Sequence, residues 1–171
     1  MIQRRSLLIQ LKKLDKLYKE TLLHSSDVDL PKYYSRLAVL ELGGWIEECI
    51  DHIVFYCMLR GRNRLRKRAN IRHLKELVKK NYGFHYNNNF REILKHSVGF
   101  VVLERVERNM NLNLKQGLES ALTKIYPERN DHAHRPIRSA QNFTAPSICI
   151  SLFNDIYNGF GEYEKKFKKY K

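Results

Sequence analysis

Leu7, Leu8, Leu11, Leu14, Leu17 and Leu22 or Leu23 recur at three- and four-residue steps, the stripe of an amphipathic helix, and predict a first helix from about Ser6 to His24. Ser25, Ser26 and Asp27 carry turn and cap chemistry, and Pro31 suits a helix start, where its missing N–H costs nothing. From Lys32 to about Arg60, Leu37, Leu40, Ile46, Ile50, Val54 and Cys57 keep helical spacing and predict a long second helix. Gly43 and Gly44 interrupt it at a cost of about 1 kcal/mol each relative to alanine, which points to a kink or a close crossing of another segment. A shorter helix is expected near Ile71 to Lys80, after which the Gly- and Asn-rich run from Tyr82 to Asn89 breaks regular structure.

Phe90, Ile93, Leu94, Val98, Val101 and Val102 or Leu103 predict one further helix with Gly99 inside it. Leu112, Leu114, Leu118, Leu122 and Ile125 predict the next, running up to Pro127. A polar connector from Arg138 to Phe143 leads to Thr144 as a cap and Pro146 near the first turn of a last helix, which carries Ile148, Leu152, Ile156, Phe160 and Phe167. No segment alternates with the two-residue period of a strand, and neither a repeat nor a long linker divides the chain. The pattern predicts an all-α fold, a compact helical bundle formed by one domain over residues 1–171.

Charge changes this picture. With 32 Lys and Arg against 18 Asp and Glu, the formal net charge of +14 gathers polyanions, and RNA, DNA, an anionic membrane or an acidic protein would all answer to it. A composition of 43% hydrophobic and 11% aromatic residues is enough to fold, so the charge does not argue for disorder. Three cysteines make no disulfide framework, no apolar stretch approaches the roughly 20 residues that span a bilayer, and Met1 to Leu14 lacks the apolar block of a signal peptide. A cytoplasmic protein without a membrane partner is expected. The run Arg60 to Arg68, with six cations in nine residues, reads as an exposed loop, and Arg62, Arg64, Arg66 and Arg68 are candidates for tracking RNA phosphates. A solvated loop or a contact with an acidic partner fits that run equally well. Tyr82, Phe84, Tyr86 and Phe90 could stack bases, although aromatic residues more often fold such a loop onto the core. Lys165 to Lys171 reads first as a fraying helix end.

The densest chemistry lies in Glu128-Arg129-Asn130-Asp131-His132-Ala133-His134. Internal RNA cleavage needs a base for the 2′-OH proton, a cation for the charge gathering on the phosphorane, and an acid for the 5′-oxygen. His134 would be the base or acid, Arg129 the phosphate clamp and Asn130 an orienting hydrogen bonder. His132, three residues from Arg129 and nearer its face, is the rival catalytic histidine, with Asp131 a supporting candidate. Glu48, seven residues from Glu41 and near Trp45 and Asp51, could orient these cations from across the bundle or simply face solvent. Pro136 pushes Arg135 out of helical geometry, which places His134 at a helix end. On a regular helix Arg129 and His134 would sit about 140° apart, so either the segment departs from a helix or a second copy completes the site. Arg-x4-His also occurs at Arg68 to His73 and Arg91 to His96, so the flanking residues must carry the specificity.

Those flanks resemble the HEPN superfamily, small helical proteins many of which are RNases of toxin and antiviral systems. Arg129-Asn130 with Ala133-His134 matches the family's RN-x-x-AH form. The likeness extends to a long early helix containing Tyr34-Ser35-Arg36-Leu37-Ala38-Val39-Leu40, a Val98-Gly99 helix before the motif, and Thr144-Ala145-Pro146-Ser147 after it, so it covers most of the chain from about Lys32. Relatives often place glycine after the histidine, where this chain has Arg135-Pro136, a difference that bears on loop geometry. The resemblance implies a HEPN-like bundle and a metal-independent endoribonuclease, a toxin or defence effector held by an antitoxin or defence-system partner. It also implies a homodimer whose composite site takes one histidine from each subunit. The alternative is a non-catalytic HEPN-type module that binds a nucleotide, a nucleic acid or a partner subunit. No cofactor is expected: Cys49 and Cys57 would lie about 12 Å apart along a helix, too far to share a zinc ion, and no phosphate-binding glycine loop is present. A DNA-binding protein is a further rival, but no recognition helix stands out.

Overall fold

The computed structural model describes residues 4–24, 26–59, 65–136 and 143–169, and among these it is all-helical. The elements are α1 (Arg4–His24), α2 (Leu30–Leu59), α3 (Arg68–Lys80), a π-helical turn (Tyr86–Arg91) running into α4 (Glu92–Val98), α5 (Phe100–Arg108), α6 (Leu112–His134) and α7 (Pro146–Lys169). The four long helices, α1, α2, α6 and α7, form the body: α6 packs on α7 and α2, and α1 packs on α2 and α7. The π-helical turn, α4 and α5 close one end against α2, α6 and α7.

Periodicity explains the long helices. Leu7, Leu11 and Leu14 of α1 are buried at the expected steps, whereas Leu22 and Leu23 beyond them are 59% and 76% exposed. In α2 the buried face runs through Ala38, Val39, Leu42, Ile46, Cys49, Ile50, Ile53 and Val54. Pro146 opens α7 as its first residue, and Cys149, Phe153, Ile156, Phe160, Tyr163 and Phe167 face the core. Fully buried rings such as Phe84, Phe90 and Phe153 each contribute about 1.5–3 kcal/mol relative to an exposed ring. Phe90 meets the Tyr163 ring edge-on at a centroid distance of 5.0 Å.

One polar network crosses this apolar end. Arg91 donates two hydrogen bonds to the Glu107 carboxylate, at 2.7 and 2.8 Å, in the forked geometry that suits a guanidinium. Tyr163 Oη donates to the same carboxylate at 3.0 Å, lies 3.0 Å from Tyr86 Oη, and so ties α7 to α5 and to the π-helical turn. Hydrogen bonds from Arg91 and Tyr163, with Lys115 near, hold Glu107 below its ordinary carboxyl range against burial, which pushes the other way.

Several boundaries differ from the sequence reading: α3 starts at Arg68 instead of near Ile71, and the π-helical turn takes in Tyr86 to Asn89, where regular structure was expected to break. The single helix expected from Phe90 to Leu103 is split, because Gly99 takes φ of 83°, a left-handed value that ends α4 and restarts the chain as α5. The re-aimed α5 leaves Phe100 and Val101 about 70% exposed, each among the residues expected to be buried or adjoining them. Nor does α6 stop at Pro127: it continues to His134, since tertiary packing outweighs the one backbone hydrogen bond that proline removes.

Close packing of α6 on α7 depends on Gly159, where an added Cβ would fall 2.5 Å from Leu118 Cβ and 3.1 Å from the Leu114 carbonyl oxygen. At Gly44 an added Cβ would meet nothing within 4 Å. Gly159→Ala is therefore expected to destabilise the protein by about 1–3 kcal/mol through overpacking, and Gly44→Ala to stabilise it by up to about 1 kcal/mol through helix propensity. Urea unfolding of the two variants checks both signs, and a loss at Gly44 or a gain at Gly159 would contradict this packing.

Candidate functional site

The last two turns of α6 carry the motif, and α2 fixes its first side chain. Gly43 lets the Arg129 stem lie directly on α2: a Cβ at that glycine would come within 2.6 Å of Arg129 Cγ. One turn further along the same face of α2, Glu47 accepts a hydrogen bond from Arg129 Nη2 at 2.5 Å. Arg129 Nη1 donates to Asn130 Oδ1 at 3.2 Å. The side chains of Arg129 and Glu47 are 23% and 35% exposed, so water screens the pair and its main effect is to hold a geometry rather than to stabilise the fold. A guanidinium has five N–H donors, and two bonds leave capacity for an anion.

Glu47 was missed in the sequence. Glu48, which the sequence left either to orient the cations or to face solvent, is exposed and lines a shallow groove between α1 and α2 with Glu41, Leu37 and Leu40. The usable signal was the step of four from Gly43 to Glu47, a gap in one turn and a carboxylate in the next. Burial, then Glu47 and Glu48, raises the carboxyl of Asp51 to about 6.

The two histidines part company. His132 is only 5% exposed, and its ring stacks on Phe143 with centroids 5.2 Å apart and planes 8° from parallel. Burial lowers its pKa from the ordinary 6.5 and Arg36 adds to that, while Glu128 and Asp131 pull it up. The ring packs this seam, and its Nε2 is sealed from solvent with no hydrogen-bond partner among the described residues. His134 is the final residue of α6 and is exposed. Arg135 follows in extended conformation, φ −118° and ψ 142°, as its place before Pro136 requires, and its N–H caps the Asp131 carbonyl at 2.9 Å. The Asp131 side chain lies 3.5 Å from Arg135 Nη1, both half or more exposed. Because the backbone stays helical from 129 to 134, Arg129 and His134 leave α6 on different sides, about 140° apart. Arg129, Asn130 and Glu47 are thus brought together, and His134 is set apart from them within one protomer.

Arg62 and Arg64 lie outside the described residues. Arg66 and Arg68 are exposed, and Arg68 begins α3 rather than ending a loop. Arg68, Arg72 and Lys75 border one shallow groove around Ile71, so the basic run continues as a helical stripe that the loop reading left out. Of the four aromatic candidates for base stacking, Phe84, Tyr86 and Phe90 are core residues, and only Tyr82, at 83% exposure, faces solvent.

Among the described residues no three His, Cys, Asp or Glu gather as metal ligands, and no helix is long and apolar enough to cross a membrane. No family model matches the chain, and no curated protein or solved structure does.

A histidine whose folded pKa lies below its unfolded value binds fewer protons when folded, so stability is lost as pH falls through and below the ordinary 6.5. The urea midpoint of the wild type is expected to drop on acidification across that value, and His132→Phe, which keeps a ring against Phe143, is expected to drop less. Parallel pH profiles for the two proteins would show that protonating His132 costs nothing.

Proposed function

We propose that the chain is a metal-independent endoribonuclease of the HEPN kind, acting on RNA as a homodimer. The observation that carries this reading is the guanidinium of Arg129, held at a partly open surface by Glu47 and Asn130, five residues before an exposed histidine at the end of the same helix. In the proposed reaction one His134 takes the proton of the ribose 2′-OH, and the 2′-oxygen attacks the adjacent phosphorus. The bond from phosphorus to the 5′-oxygen breaks, and the other subunit's His134 protonates that oxygen. Arg129 meets the charge on the non-bridging oxygens, where a preorganised donor is worth most. The products are a 2′,3′-cyclic phosphate and a free 5′-hydroxyl, so DNA, which has no 2′-OH, is not a substrate. The exposed face of α3 with Arg68, Arg72 and Lys75, and Arg66 just before it, supplies sequence-independent phosphate contacts. A role as a toxin or defence effector restrained by a partner follows from the same resemblance.

One observation favours a second reading, a non-catalytic module of the same kind that binds a nucleotide, a nucleic acid or a partner subunit: within one protomer Arg129 and His134 diverge. The two readings differ in one experiment, cleavage of single-stranded RNA in the presence of a chelator. For the nuclease, His134→Ala is expected to lower the rate about 10²–10⁴-fold and Arg129→Ala about 10²–10³-fold, with both variants folded and His132→Phe close to wild type. Glu47 acts through Arg129, so Glu47→Ala is expected to slow the wild type and to change nothing in the Arg129→Ala background. Equal cutting by wild type and both motif variants would mean a contaminating nuclease, and folded dimer that binds RNA without cutting it would leave the binding module.

A further inference from the structure

On the side of α2 away from Glu47, a cleft of about 230 Å³ opens between α2 and α7. Trp45 and Cys49, two residues either side of Glu47, are each about 160° from it around the helix, so this cleft and the motif use opposite faces of α2. Its floor is Trp45, Cys49, Ile53 and Phe160. The Trp45 Nε1 atom is sealed from solvent, which means that the cleft meets the ring rather than the N–H. Burial, with Glu48 adding to it, pushes the Cys49 thiol well above its ordinary range, so it too presents an uncharged surface. Along α7 the lining repeats at helical steps through Tyr157, Gly161, Lys165 and Lys168.

Gly161 is the telling position. A Cβ there would meet nothing within 4 Å, although the residues one turn before and after it both line the cleft. Gly161 thus lies at the exposed rim of the cleft, where a long side chain would meet a bound molecule before it met the protein. At the mouth, Lys165 and Lys168 stand against Glu164, a net positive charge. Lys165 is only loosely engaged, 3.9 Å from Glu162 and 68% exposed, and Lys168 lies 5.8 Å above the Tyr56 ring. Both ammonium groups remain near solvent and within reach of an anion. An apolar cavity of about 150 Å³ holds benzene, so the space here suits a body of two rings.

We propose that this cleft binds a small aromatic acid, its rings lying on Trp45, Ile53 and Phe160 and its carboxylate or phosphate at Lys165 and Lys168. The site is separate from the motif and stands or falls independently of RNA cleavage. The probe is 2-naphthoate, and because Trp45 is the single tryptophan of the chain, its fluorescence reports occupancy directly, with calorimetry as the second readout. Saturable binding to the wild type is expected, weakened about tenfold or more by Gly161→Leu and less by Gly161→Ala, which keeps the question open to test should the leucine variant not fold. Lys165→Gln with Lys168→Gln is expected to weaken naphthoate but not the neutral 2-naphthamide, which binds more weakly to the wild type. Absence of saturable binding, full affinity in a folded Gly161→Leu protein, or equal affinity for acid and amide would each overturn the assignment.

Discussion

The Cβ that Gly43 lacks is the constraint on which the candidate site depends. A side chain there would occupy the space of the Arg129 stem, and without that contact the guanidinium could not reach Glu47 one turn further along α2. The same device operates on the other flank of α6, where Gly159 admits Leu118. Two missing side chains on two different helices thus set the depth at which α6 lies, and with it the height at which Arg129 meets solvent. The gain is positional, since a half-exposed ion pair adds little to stability.

Chemistry and architecture are kept apart around this helix. His132 and Phe143 close the seam where the chain returns towards α7, and Glu107 gathers Arg91, Tyr163 and Lys115 at the far end of the bundle. The Glu107 cluster ties helices together, and the His132 ring packs between segments. Arg129 is partly open to solvent, and His134 and the basic stripe of α3 are exposed.

Helices were legible in the sequence wherever apolar residues recurred at helical steps, as in α1, α2, α6 and α7. They were misjudged where one residue outweighed the pattern. Gly99 breaks a run whose periodicity looks continuous, because its positive φ is a backbone property that hydrophobic spacing does not register. Pro127 looks like an end and is not, because burial of Ile125 and His132 on either side holds the helix through it. At the site, residue types were readable and neighbours were not. Arg129, Asn130 and His134 stand out by chemistry, but choosing Glu47 over Glu48 needs the rotation of α2 about its axis, and the burial of His132 needs the position of Phe143, far along the chain. Angular separation on a helix correctly set Arg129 and His134 apart, since that depends on local geometry alone.

Pro127 leaves the Thr123 carbonyl without its helical donor and divides α6 into two lengths, each with its own anchor: Leu118 in the notch at Gly159 upstream, Arg129 in the notch at Gly43 downstream. Changes in one length need not propagate into the other through a continuous ladder of backbone bonds. Substitutions in the distal turns would then reshape the surface around Arg129 and His134 while the proximal turns went on securing the bundle.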